Sequence, residues 1–176
     1  MSGAGKTIWE FAKTLVMAVG VAWLASSLVE PTVVSGNSMY PTIESKNYML
    51  LSPAPYLAGT PKYGDIVVFN SHVYMEDGRE KDFIKRVIGL PGDTIRIREG
   101  YVYRNGKKLR EDYINGGRTP GIMEAVTVEA GRVFVLGDNR GDSRDSRDPS
   151  IGQIALEDIV GKAVFRLYPF DKMGRI

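Results

Sequence analysis

The chain contains no cysteine and a single histidine, His72. The first absence excludes disulfides, thiol-protease chemistry and cysteine-based zinc sites, and the second excludes a multi-histidine metal centre, so no metal or cofactor is expected. A chain without cysteine works equally well in reducing and oxidising compartments, so the compartment stays open on this ground. There is no basic tail and no run of like charges, and a formal net charge of +2 is too small to indicate nucleic acid as a partner. Internal repeats are also lacking, which excludes a solenoid or propeller.

The chain does have enough residues, 176 with 43% hydrophobic and 25% charged, for one domain with a core. From Thr14 to Val29 it carries no charge, and the apolar run extends back to Ile8 if Glu10 and Lys13 are tolerated near one end. A helix over that length is about 33 Å long at 1.5 Å per residue, against a hydrocarbon core of about 30 Å. A cleaved signal peptide and a buried helix of a soluble domain are the competing readings, but the run is long for the first and lacks the polar stripe of the second. Lys6 and Lys13 precede or open the run and Glu30 closes it, so the positive-inside rule keeps the N-terminus cytoplasmic. The expected organisation is therefore a cytoplasmic segment 1–7, a transmembrane helix 8–30, and an extracytoplasmic β-domain 31–176 with a small insertion at about 94–132.

Beyond residue 31 the chain reads as short strands punctuated by Gly, Pro and Asn. Ile66 to Phe69 and Phe83 to Ile88 have the continuous apolar character of buried strands, Thr94 to Arg98 alternates, and Asn105-Gly106 is a strong hairpin signal. Val126 to Val128 and Val133 to Leu136 suggest another hairpin, Ile159 to Leu167 a last strand, and Lys107 to Gly121 the least ordered stretch. The expected fold is mainly β: a largely antiparallel domain, either sandwiched or partly closed into a barrel, with one N-terminal transmembrane helix.

Ser38 sits in Ser35-Gly36-Asn37-Ser38-Met39-Tyr40-Pro41-Thr42, which on its own reads as a turn. As a nucleophile it needs a base. His72 lies in a polar stretch between strands and reads as a loop residue. Lys85, within the strand Asp82 to Gly89, is the better candidate, because burial strips solvation from an ammonium and can leave a neutral amine near pH 7. The bland alternative is a strand lysine whose stem packs and whose head is solvated. In Leu136 to Asp148 the side chains of Arg140, Arg144 and Arg147 interleave with Asp138, Asp142, Asp145 and Asp148. That spacing fails a calcium loop and suits a charge-compensated scaffold able to hold Ser143 or Ser146 against a lysine amine.

Taken in order, Ser38-Met39-Tyr40-Pro41-Thr42, Tyr63 to Phe69, Lys85 to Asp93, Gly137-Asp138-Asn139-Arg140 through Arg147, and Gly161 to Arg166 resemble the type I signal peptidases of bacteria, over nearly the whole chain. The resemblance implies a membrane-bound Ser/Lys endopeptidase that removes signal peptides from exported preproteins after Ala-x-Ala, acting as a monomer at the plasma membrane with the lipid bilayer and preproteins as partners. It further implies Ser38 as nucleophile, Lys85 as general base, Ser143 orienting the amine, and Asp145 and Arg147 bracing the loop. Val34, Met39, Ile43, Phe83 and Ile84 would line the small substrate pockets. One position departs: some members carry serine where this chain has Gly36, which leaves the oxyanion's second donor open. The rival readings are a self-cleaving repressor-type peptidase, disfavoured by the apolar segment standing where a DNA-binding helix pair would be, and a membrane-tethered β-domain that binds exported peptides without cutting them.

Overall fold

The computed structural model describes residues 3–26, 29–53, 59–74, 78 and 80–176. It divides into two units, residues 1–30 and 31–176. The first holds one helix, α1 (Gly3–Ser26). The helix overlaps the span expected at 8–30 with different bounds: Ser27 and Leu28 lie outside the described residues, and Glu30 opens a strand because a residue before proline is pushed to extended backbone. Among the described residues no helix is long and apolar enough to cross a membrane. Lys6, Glu10 and Lys13 occupy its first half, Lys13 pairing with Glu10 at 3.0 Å. Ile8, Phe11, Val16 and Met17 are all exposed.

The second unit is built of antiparallel strands: β1 (Glu30–Val33), β2 (Tyr48–Ser52), β3 (Ile66–Tyr74), β4 (Glu80–Gly89), β5 (Thr94–Arg98), β6 (Tyr101–Arg104), β7 (Lys107–Lys108), β8 (Met123–Thr127), β9 (Arg132–Leu136), β10 (Ile154–Ala155), β11 (Ile159–Tyr168) and β12 (Gly174–Arg175). An eight-stranded sheet runs β1-β2-β11-β3-β4-β9-β10, with β12 also on β11, and a four-stranded sheet runs β7-β6-β5-β8. Of the two expected forms, antiparallel sheets are found and a closed barrel is not: the strands form two open sheets. The larger ends on the two-residue β10, which offers too few backbone groups to close onto β1.

The turns behave as their residues dictate. Glu99-Gly100 and Asn105-Gly106 each place both residues at positive φ, the two-residue geometry that reverses twisted strands tightly. The hairpin expected between Val126 and Leu136 does not form: β8 pairs with β5 in the small sheet while β9 pairs with β4 in the large one. The chain changes sheets at Val128, whose N–H and C=O bond to Asp93 and Gly92 rather than to β9. Ile88, Ile95, Ile97, Val102, Phe134 and Leu136 fill a core shared by the two sheets. Across the large sheet, Val67 and Val87 pack with Phe69, and Met39, Ile43, Met49 and Val68 form a third cluster.

Candidate active site

Ser38 follows β1 in a compact turn. Gly36 takes φ +98, a conformation that strains any L side chain, and Tyr40 N–H and Ile43 N–H close back onto the carbonyls of Asn37 and Met39. Met39 and Ile43 are buried, so the turn is pinned from below by apolar anchors while Ser38 stays at the surface of a cleft. Lys85 comes from the centre of the large sheet, opposite Val67 on β3. It is 3% exposed, and its Nζ lies 2.7 Å from Ser38 Oγ and 2.8 Å from the carbonyl of Ile84, with the Phe83 ring 5.0 Å away. Burial pulls its pKa from 10.5 to about 8; Asp145 opposes the shift, Lys81 adds to it, and Asp138 opposes it more weakly.

Arg86, the next residue, takes its charge elsewhere. It forms a bidentate pair with the fully buried Asp138, at 2.8 and 2.6 Å, and Asp138 also accepts from Thr42 at 2.5 Å. The strand carrying Lys85, the turn carrying Ser38 and the loop beginning at Gly137 are thereby joined beneath the cleft.

The loop after β9 is braced by Asp145, which is fully buried, accepts from the Gly137 N–H at 3.0 Å and holds Arg147 through two bonds of 2.8 Å. Arg147 in turn donates to the carbonyl of Arg140 at 2.8 Å. Ser143 does not make the hydrogen bond anticipated for it. Its Oγ is buried and bonds to no described residue, Lys85 included; the side chain packs on Gly137 instead. A methyl at residue 137 would penetrate both Ser143 and the Ser38 carbonyl oxygen, so Gly137 is required for the loop to approach the nucleophile's backbone. Ser146 is also turned away, its Oγ accepting from the Val135 N–H at 2.9 Å.

The cleft beside Ser38, about 690 Å³, is lined by Thr32 to Ser38, Val68, Glu80 to Lys85, Asp142 and Arg144. Val34, Phe83 and Ile84 thus face it, whereas Met39 and Ile43 lie behind it in the core. His72 is far from this chemistry in bonding terms: it sits at φ +53 in an irregular stretch of β3, between Asp158 at 3.1 Å and Glu80 at 3.5 Å. Among the described residues no cluster of acidic or histidine side chains is placed to hold a metal ion.

Sequence reading missed Glu111. This residue holds the fully buried Arg140 with two bonds of 2.7 and 3.1 Å, and Arg140 completes its fork on Thr119 and the Gly137 carbonyl. The only sequence signal was Arg140 itself, a guanidinium whose partner cannot be read from its own loop.

A serine hydroxyl within hydrogen-bond reach of a buried amine of lowered pKa, at the edge of a cleft, has the parts that nucleophilic acyl transfer needs. The family model for signal peptidases, peptidase S26, matches residues 8–168. Similar curated proteins include signal peptidase I of Bacillus amyloliquefaciens, 36% identical with 95% of this chain and 89% of that protein covered, and signal peptidase I S of Bacillus subtilis strain 168, 35% identical with 97% and 94% covered. Signal peptidase I of Bacillus caldolyticus is 40% identical over 88% of this chain and 87% of that protein. A crystal structure of an Enterococcus faecalis V583 signal peptidase I matches with a TM-score of 0.49 and 31% identity, covering 59% of this chain and 97% of that one. The chain belongs to the S26 signal peptidase family and is a serine peptidase.

Proposed function

We propose that the chain is a membrane-tethered endopeptidase that cleaves signal peptides from exported preproteins after small residues, with Ser38 as nucleophile and Lys85 as general base. The observation that carries the reading is the 2.7 Å contact between Ser38 Oγ and a Lys85 amine shielded from water. A neutral Lys85 takes the hydroxyl proton as Ser38 Oγ attacks the scissile carbonyl. The resulting ammonium returns that proton to the departing amine as the C–N bond breaks, and a water then hydrolyses the acyl-serine with the same lysine as base.

Substrate selection follows from the cleft's walls. On the side away from β3, β4 pairs with β9 only from Arg86 onward, so among the described residues 80–84 have no strand partner on that side and border the cleft. An extended peptide can bond along them as an added strand, with Val34 and Ile84 limiting the side chains it brings to small ones. The apolar stretch of residues 8–30 supports tethering at a bilayer, with the β unit on the extracytoplasmic side.

The test is cleavage of a preprotein by the full chain in lipid. Ser38→Ala and Lys85→Ala are each expected to abolish cleavage after Ala-x-Ala, while His72→Ala cleaves normally. An active Lys85→Ala enzyme would overturn the dyad, and binding of signal peptide without any cleavage by the unaltered chain would overturn the peptidase role.

A further inference from the structure

The polar stretch expected to be the least ordered is instead tied to the catalytic loop and to β4 through Glu111, Tyr113 and Asn115. Glu111 grips Arg140. Tyr113 lies under the Arg86 guanidinium, ring centroid 4.0 Å away, and donates its hydroxyl proton to Glu111 at 2.8 Å. Asn115 donates its backbone N–H to the Asp138 carbonyl at 3.0 Å and its side-chain N–H to Asn139 Oδ1 at 3.1 Å. Asn139 passes the hold onward: its backbone N–H bonds the Ser38 carbonyl at 3.0 Å and its Nδ2 bonds the Asn37 carbonyl at 3.1 Å. A continuous chain of hydrogen bonds thus runs from the segment between β7 and β8 to the peptide units on either side of the nucleophile's Cα.

We propose that Asn115 and Asn139, supported by Glu111 and Tyr113, are positioning residues that hold the Ser38 turn at the distance from Lys85 which proton transfer requires. The assignment rests on the Ser38 and Lys85 roles proposed above. Its physical basis is the geometry of the two asparagines. Asn139 spends its amide N–H on Asn37 and its amide oxygen on Asn115, so its side chain has one orientation that satisfies both ends. Removing Asn115 frees that amide to rotate, which releases the Asn37 carbonyl and lets the turn carrying Ser38 drift. A displacement of about 1 Å at a nucleophile costs on the order of 100-fold in rate. The same loosening admits water to Lys85, whose lowered pKa depends first on burial, so its pKa should move back up.

The experiment compares the full chain, Asn115→Ala, Asn139→Ala and Ser38→Ala on a preprotein in lipid across pH. Asn115→Ala and Asn139→Ala are expected to lose 10-fold or more in kcat, on the order set by misplacement of a nucleophile, with KM little changed and the acid limb of the pH profile moved to higher pH. Asn115→Gln, which restores an amide donor, should recover part of the kcat. The inference is overturned by an unchanged kcat and limb in Asn115→Ala, or by a rise in KM alone, which would mark substrate contact instead. If Asn115→Ala does not fold, Tyr113→Phe, which keeps the ring under Arg86 and deletes only the donation to Glu111, provides the same readouts. Activity surviving in Ser38→Ala would defeat the underlying assignment itself, separately from the fate of the asparagine variants.

Discussion

At the scale of single residues, Lys85 in its proposed role of general base ties activity to a stability penalty. Its pKa of about 8 requires cleavage to fall as acid protonates the amine, so kcat/KM should rise along one limb with a midpoint near 8. A rate flat through that region would remove the neutral amine from the mechanism. The same shift bears on folding. Because the folded-state pKa lies below the ordinary 10.5, the folded chain binds fewer protons than the unfolded one between about 8 and 10.5, and stability from this group rises with pH across that window. Below it the buried ammonium is a full penalty of about 3 kcal/mol, at 1.36 kcal/mol per pKa unit. Lys85→Met, of similar volume and uncharged, should therefore be inactive yet more stable near neutral pH by about 1–3 kcal/mol, the range allowing for two lost hydrogen bonds. Its advantage should shrink as pH rises toward 10.5. Denaturant unfolding at two pH values measures this, and a Lys85→Met protein less stable than the parent at neutral pH would contradict it.

At the scale of elements, the cleft is the gap left where β4 outruns its neighbour β9. Ile84 stands in that gap at half-burial beside Val34 and Phe83. Ile84→Ala should widen the pocket and allow cleavage after residues larger than alanine, read as new cut sites in a preprotein carrying Leu at the position before the cut. Unaltered selectivity would place the size limit elsewhere. Much of this level could be read from sequence, because strand periodicity and the Asn105-Gly106 turn are local signals. The Val126 to Leu136 hairpin misled for the same reason: adjacent strands usually pair, and only the packing of Val128 between the sheets sends them apart. Ser143 and Glu111 were equally beyond reach. A serine's partner and a carboxylate's partner are set by three-dimensional approach, and Glu111 lies 29 positions from Arg140 in a stretch whose composition resembles solvated surface.

At the scale of the whole molecule, the proposed function gives the helical unit and the β unit separate tasks. The three apolar clusters that hold the sheets together all draw on residues from Val34 onward. A chain starting at Val29, which keeps β1 and omits α1, should fold and cleave a soluble peptide with unchanged kcat, while losing sedimentation with anionic vesicles. A shortened chain that fails to fold, or that still binds vesicles as the full chain does, would contradict this division. The location of Ser38 just beyond the apolar stretch was legible in sequence. The clamp running from Asn115 to the Ser38 carbonyl was not, since it joins three segments that only the two-sheet arrangement brings together.

The side of residues 80–84 without a strand partner among the described residues has a consequence for the molecule between substrates. A bare strand edge is a template for any other bare strand, including that of a second copy, and would drive self-association at high concentration. Glu80, Lys81 and Asp82 place alternating charges along its outer half, the last two exposed, and charged edges resist such pairing. The apolar remainder, Phe83 and Ile84, lies deeper beside Lys85. Colloidal protection and the proposed peptide recognition thus divide one strand between them, with the charged half beside the half proposed to bind.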